Sequence, residues 1–169
     1  MMPRRRPEDQ DYVAFVRSEA TCNSMVGHVG GRQEIKLAEP CNNPSSITHE
    51  INHAIGFFHE HERSDRDDHI KVIKKNIQPD MEDTTWRCVC AGKEDQFSKL
   101  KKDENLILDK FDLNSLMLYD SIYFSKDKEN GLRTLETVDG NNIEKPPDLK
   151  LSKSDIKRIN ILYRCRSVE

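Results

Sequence analysis

The first cluster of apolar positions, Tyr12-Val13-Ala14-Phe15-Val16, is β-branched and aromatic and predicts a strand. Met25 to Val29 and Gln33 to Leu37 flank Gly30-Gly31, which predicts a hairpin-like pair of extended segments around a glycine turn. Pro40 to Pro44 is a break. The apolar period then becomes helical: Ile47, Ile51, Ala54 and Ile55 form a stripe expected to be buried. Pro44 suits the first turn of this helix, Ser45 or Ser46 is the expected cap, and Gly56 ends it by entering the left-handed region. From Asp65 onward the chain is charged and less regular. Trp86 to Asp95 reads as a loop, and Lys99 to Lys110 is at most amphipathic. Leu113 to Phe124 is the next apolar concentration, and Gly140 to Pro147 is a turn region. Ser152 to Tyr163 predicts a final helix, with Ser152 and Asp155 as a capping box. Its expected inner face is Ile156, Ile159 and Leu162 or Tyr163. No internal repeat or low-complexity tract interrupts this order.

Composition narrows the class. The 169 residues make one domain, or two tight subdomains, with 35% apolar and 34% charged residues. The core must therefore be small and its outside heavily charged. A net charge of −3 carries no signal for nucleic acid or an anionic membrane, and no apolar run approaches the roughly 18 residues of a membrane span. Met1 to Gln10 is basic and then acidic, without the apolar stretch of a secretory signal. Arg4 to Arg6, set between prolines, read as solvated charge rather than as a nuclear signal. The five cysteines are Cys22, Cys41, Cys88, Cys90 and Cys165. Scattered through a small domain, they indicate disulfides and an oxidising compartment. Set against the absent signal, they predict a fragment or an incomplete gene product.

The chemistry concentrates in Thr48-His49-Glu50-Ile51-Asn52-His53-Ala54-Ile55-Gly56-Phe57-Phe58-His59-Glu60. His49 and His53 are four residues apart, so on a helix both imidazoles face one metal. Glu50 is placed to approach a metal-bound water. A sharp turn at Gly56 lets His59 return as a third ligand. Three neutral imidazoles leave an open tetrahedral position on Zn²⁺ for water, the pattern of a catalytic site. With five positions fixed at about one in twenty each, a chance match in this length is on the order of one in ten thousand.

The string His49-Glu50-x-x-His53-x-x-Gly56-x-x-His59 resembles the elongated zinc motif of the metzincin endopeptidases. Glu60, followed by His61-Glu62-Arg63-Ser64-Asp65-Arg66-Asp67, is similar to the astacin family. Asn114-Ser115-Leu116-Met117-Leu118-Tyr119 resembles that family's Met-turn. Asp11-Tyr12-Val13 and the Cys22 to Cys41 region resemble its upstream strand and disulfide-bounded substrate edge, and Leu151 to Cys165 resembles its last helix. The resemblance runs from about Asp11 to Cys165.

It implies an α+β, metzincin-like fold. A small twisted sheet and a zinc-binding helix above the cleft form residues 1–58. A loop-rich lower subdomain with the Met-turn and the C-terminal helix forms residues 59–169. It implies His49, His53 and His59 as zinc ligands, one zinc per chain, Glu50 as general base and Tyr119 as oxyanion stabiliser. Met117 would be an apolar floor. Cys22 and Cys41 would form a disulfide, with Asn23 to Val29 offering a sheet edge to extended substrate. The implied activity is zinc-dependent endopeptidase action on protein or peptide substrates by a secreted monomer, with no nucleic-acid or membrane partner. The rival is a non-catalytic, zinc-stabilised binding protein derived from a truncated protease.

Departures from the family pattern set further expectations. The chain begins after the family's usual first strand and long helix. Glu60, which in the family pairs with the inward-folded mature N-terminus, is then expected to be solvated or paired with an arginine. Cys165 is left either unpaired or bridged to Cys88 or Cys90. Leu118 stands where the Met-turn usually carries histidine, and Glu144-Lys145-Pro146-Pro147-Asp148 replaces a glycine-glutamine-arginine run. His28, His61 and His69 are expected to be surface or packing residues. Asp65, Arg66 and Asp67 are expected to form a structural ion-pair and capping cluster.

Overall fold

The structure, a computed structural model, describes residues 10–79, 95–146 and 148–165. The expectations for Arg4 to Arg6, for most of the Trp86 to Asp95 stretch and for Cys88 and Cys90 lie outside the described residues. The chain divides into two compact units, Met1–Phe58 and His59–Glu169.

In the first unit, β1 (Tyr12–Arg17), β2 (Asn23–Ser24) and β3 (Arg32–Leu37) form one sheet in the order β1-β3-β2. β1 lies parallel to β3, Tyr12 opposite Arg32 and Arg17 opposite Leu37. β2 runs antiparallel to β3 at its other edge. The expected hairpin of Met25–Val29 with Gln33–Leu37 is not formed. β3 takes its antiparallel partner from Asn23–Ser24, and its long pairing is with β1. The intervening loop serves the helix instead: Gly27, at φ +78°, donates its N–H to the His53 carbonyl over 2.8 Å. Ile35 and Ala38 are the buried apolar residues of this sheet layer.

α1 (Pro44–Ala54) packs against β2 and β3. Pro44 opens it as expected, but the cap is Asn43, whose side chain accepts the Ser46 N–H at 3.0 Å. Ser45 donates its hydroxyl to Asn43 Oδ1 at 2.9 Å and supports that cap instead of supplying it. The buried residues of α1 are Glu50, Asn52 and His53, whereas Ile51 is exposed and Ile47, Ala54 and Ile55 are half-buried. The apolar stripe is thus not its deepest face. Gly56 leaves the helix at φ +103°, with its N–H also on the His53 carbonyl at 2.8 Å. A Cβ at that φ is strained, which is why glycine stands there. Cys22 and Cys41 form a disulfide.

The second unit holds an antiparallel pair, β4 (Ile70–Val72) with β5 (Leu135–Thr137), for which the charged sequence carried no signal. Its core is Ile70, Ile77, Phe97, Phe111, Leu118, Tyr119, Leu135 and Ile143. Lys99 to Lys110 forms turns and no helix. α2 (Lys153–Tyr163) starts at Ser152 with the expected capping box. Its inner face is not the apolar one: Asp155 and Arg158 are buried, while Ile156, Leu162 and Tyr163 are exposed. No helix among the described residues is long and apolar enough to cross a membrane.

Candidate metal centre

The ligand atoms of His49, His53 and His59 lie within 4.8 Å of one another. Around a tetrahedral zinc with Zn–N near 2.05 Å, such nitrogens sit about 3.4 Å apart. The three side chains therefore fit one ion after small movements. His53 Nδ1 lies 2.8 Å from the Phe57 carbonyl, which can only accept. This fixes the proton on Nδ1 and leaves Nε2 as the ligand atom.

Glu50 supplies the second test of fit. It is 7% exposed, and its Oε2 is buried with no hydrogen-bond partner among the described residues. Burial pushes its carboxyl up to about 7. A buried carboxylate oxygen without a donor is costly, and a metal-held water or a substrate proton beside it would relieve that cost. A carboxyl poised near neutrality also suits a group that takes and returns a proton.

The segment after His59 is braced from beneath. The Glu60 N–H donates to the Met117 carbonyl at 2.9 Å, tying the histidine to the Met-turn. Glu60 itself is 3% exposed. Its carboxylate accepts two bonds from Arg158, at 2.6 and 2.7 Å, one from Arg63 at 3.0 Å and the Asp112 N–H at 2.8 Å. Of the two alternatives for Glu60, the arginine pairing is the one realised, and with two arginines. Asp155 meanwhile accepts the Ser115 hydroxyl at 2.7 Å and the Leu116 N–H at 3.0 Å. One turn of α2 thus holds both Glu60 and the Met-turn. Met117 is 3% exposed, as an apolar floor requires.

Tyr119 is buried in an aromatic stack. Its ring centroid is 4.0 Å from Tyr123, 4.1 Å from His61 and 4.8 Å from His59. His61 is fully buried, its Nε2 donating to the Gln96 carbonyl at 2.9 Å. Burial, with the adjacent His59, holds its pKa well below the usual range, so it is neutral packing. His69 stacks on Phe111 at 4.7 Å, and exposed His28 pairs with Asp11 at 3.1 Å. Arg63–Asp65, Arg66–Asp67 and Lys99–Asp67 form the expected ion-pair cluster. Lys145, within the departing Glu144 to Asp148 run, donates to the Leu118 carbonyl at 2.9 Å. Cys165 is free and exposed. The contributors that sequence reasoning missed are Glu62, Arg158 and the Met-turn role of Asp155. The available signal was their spacing: Asp155 and Arg158 share one helix face, and Glu62 lies one tight turn after His59.

Comparison with known proteins gives these positions a context. The family model Astacin, which describes subfamily A of peptidase family M12, matches residues 2–164. The chain is 38% identical over 165 residues to zinc metalloproteinase nas-6 of Caenorhabditis elegans, covering 96% of this chain and 43% of that protein. It is 36% identical over 172 residues to astacin-like metalloprotease toxin 1 of Loxosceles intermedia, covering 98% of this chain and 59% of the toxin. The chain thus spans roughly half the length of these relatives. Its fold superposes with a TM-score of 0.78, at 31% identity, on high choriolytic enzyme 1, a hatching enzyme zinc-protease from the medaka fish Oryzias latipes, over 96% of this chain and 73% of that one. Zinc is named for the nematode proteinase and the medaka hatching enzyme, and the histidine triad matches it. With the matched motif, the mixed α/β fold and the braced Met-turn in agreement, the chain belongs to the astacin family of metzincins.

Proposed function

We propose that this chain is the catalytic portion of a zinc-dependent endopeptidase that hydrolyses peptide bonds of proteins. The observation that carries the reading is the convergence of three histidine ligand atoms within 4.8 Å, together with Glu50, next in sequence to His49, whose Oε2 is buried with no hydrogen-bond partner among the described residues. His49, His53 and His59 hold one zinc per chain; the described residues contain one such triad. The ion, when bound, lowers the pKa of the water it holds and polarises a carbonyl oxygen. Glu50 accepts the proton of the attacking water and returns it to the leaving amine nitrogen. Tyr119, whose ring lies 4.8 Å from that of His59, offers its hydroxyl to the developing oxyanion. The substrate is an extended polypeptide, and it docks along the sheet edge that begins at Asn23–Ser24 and continues as a loop to Val29. The Cys22–Cys41 disulfide supports secretion, and the protein acts as a monomer.

The test pairs Glu50→Gln with a fluorogenic peptide assay, run with and without chelator. The expected result is wild-type zinc content in the variant and hydrolysis reduced at least a thousandfold. Undiminished turnover would remove Glu50 from the mechanism. A zinc-loaded wild type that cleaves neither peptide nor casein would return the chain to a binding role.

A further inference from the structure

Glu62 has no role in the zinc motif, yet its carboxylate closes on the third histidine. Its Oε2 lies 2.9 Å from the His59 backbone nitrogen and 3.1 Å from His59 Nδ1. One oxygen therefore clamps both the main chain and the ring of that residue. An ionised carboxylate has only acceptors to offer, so the ring nitrogen facing it is the one that carries hydrogen. The opposite nitrogen, Nε2, is then left with its lone pair directed away from Glu62.

The main chain of Glu62 is held in place independently of the histidine ring. The Glu62 N–H bonds the His59 carbonyl at 3.1 Å, and its own carbonyl accepts the Leu100 N–H at 2.7 Å. Both side chains are largely buried, 15% exposed for His59 and 20% for Glu62, so water competes weakly for the contact. Neighbouring cations are engaged elsewhere: Arg63 and Arg158 are bound to Glu60, and Arg63 also to Asp65. Among the described residues, the side-chain partner of the Glu62 carboxylate is His59. The contrast with His53 is chemical. Its Nδ1–H meets a neutral backbone carbonyl, whereas that of His59 meets a full negative charge, and a charge-assisted bond of this kind is roughly twice as strong.

We propose that Glu62 is a positioning residue of the metal site: its carboxylate fixes the His59 tautomer and ring orientation and makes Nε2 the more basic ligand atom. The proposal rests on the zinc reading above and deepens it. Partners of this kind typically change metal affinity by about 10–100-fold when removed. A capping role alone, limited to the His59 N–H, would predict no such effect.

Two measurements on the intact chain decide it. Zinc dissociation constants are determined by competition with a chromophoric chelator for wild type, His59→Ala, Glu62→Ala and Glu62→Gln. In addition, long-range ¹H–¹⁵N spectra of the zinc-free chain at pH 8 read the His59 tautomer without any metal. The expected result is an about 10–100-fold weaker zinc complex for Glu62→Ala and a smaller loss for Glu62→Gln, whose amide oxygen still accepts the Nδ1–H. The tautomer should be Nδ1–H in wild type and shift toward Nε2–H in Glu62→Ala. Should Glu62→Ala fail to fold, the Glu62→Gln affinity carries the test, with a loss of at least threefold expected. Affinity within threefold of wild type in the folded Glu62 variants, or an unchanged tautomer in Glu62→Ala, overturns the proposal while a weakened His59→Ala leaves the zinc reading intact. Failure of wild type itself to bind zinc overturns both.

Discussion

Replacing Arg158 by methionine should destabilise the protein strongly, although the residue lies on a helix face that its neighbours mark as charged. The guanidinium is 7% exposed and the Glu60 carboxylate 4%. Two bonds join them, at 2.6 and 2.7 Å, and a third runs from Arg158 to the Lys110 carbonyl at 2.6 Å. Removing one member of a buried pair leaves the other charge uncompensated and costs about 3–5 kcal/mol. Glu60 would retain Arg63 and the Asp112 N–H, which places the loss at the lower end, about 3 kcal/mol. With a urea m-value near 2 kcal/mol/M, this moves the unfolding midpoint by about 1.5 M. Adding Glu60→Gln to Arg158→Met removes the orphaned charge, so the double variant should be more stable than the sum of the single losses. Equilibrium unfolding followed by circular dichroism reads each step. A midpoint shift below about 0.5 M for Arg158→Met, at unchanged m, would show that the pair does not brace the segment after His59.

Three further outcomes follow from the same geometry. In the zinc-free protein Glu50 titrates near 7, whereas the unfolded chain ionises it near 4.5, so the folded state holds the extra proton and stability falls as pH rises between those values. Glu50→Gln should therefore be more stable than wild type at pH 8 and lose that advantage by about pH 4; a pH-independent difference in melting temperature would contradict the assignment. Replacing Cys22 and Cys41 by serine opens a loop with a sequence separation of 19 residues, and the chain-entropy argument gives a loss of about 3 kcal/mol, to be read as a denaturant midpoint against an oxidised control. Zinc should be lost on acidification, because its imidazole ligands must be neutral to bind; constant occupancy down to pH 4 by elemental analysis would speak against histidine ligation.

Local signals were legible where one side chain decides the backbone. Ser152 and Asp155 cap α2 as their spacing requires, and Gly56 takes the positive φ that ends α1. The histidine spacing likewise carried through to a convergent triad. What could not be read was which face each helix buries. Both helices place polar groups inward, Glu50, Asn52 and His53 on α1 and Asp155 and Arg158 on α2. On α2 those groups find partners far along the chain. Arg158 meets Glu60 across 98 residues, and no periodicity encodes such a bond. The same distance hid the β4–β5 pairing, whose strands are three residues each and lie more than sixty residues apart. Asn43 displaced the serines as cap because the break before Pro44 brought its side chain over the first free amides.

In the proposed site three imidazoles of one chain bind one zinc and leave a position for water. X-ray absorption at the zinc edge of the loaded protein tests it directly. The expected spectrum contains three imidazole nitrogens at about 2.0–2.1 Å with one further oxygen. A sulfur shell near about 2.3 Å, which would recruit a cysteine, or fewer than three imidazoles would contradict it.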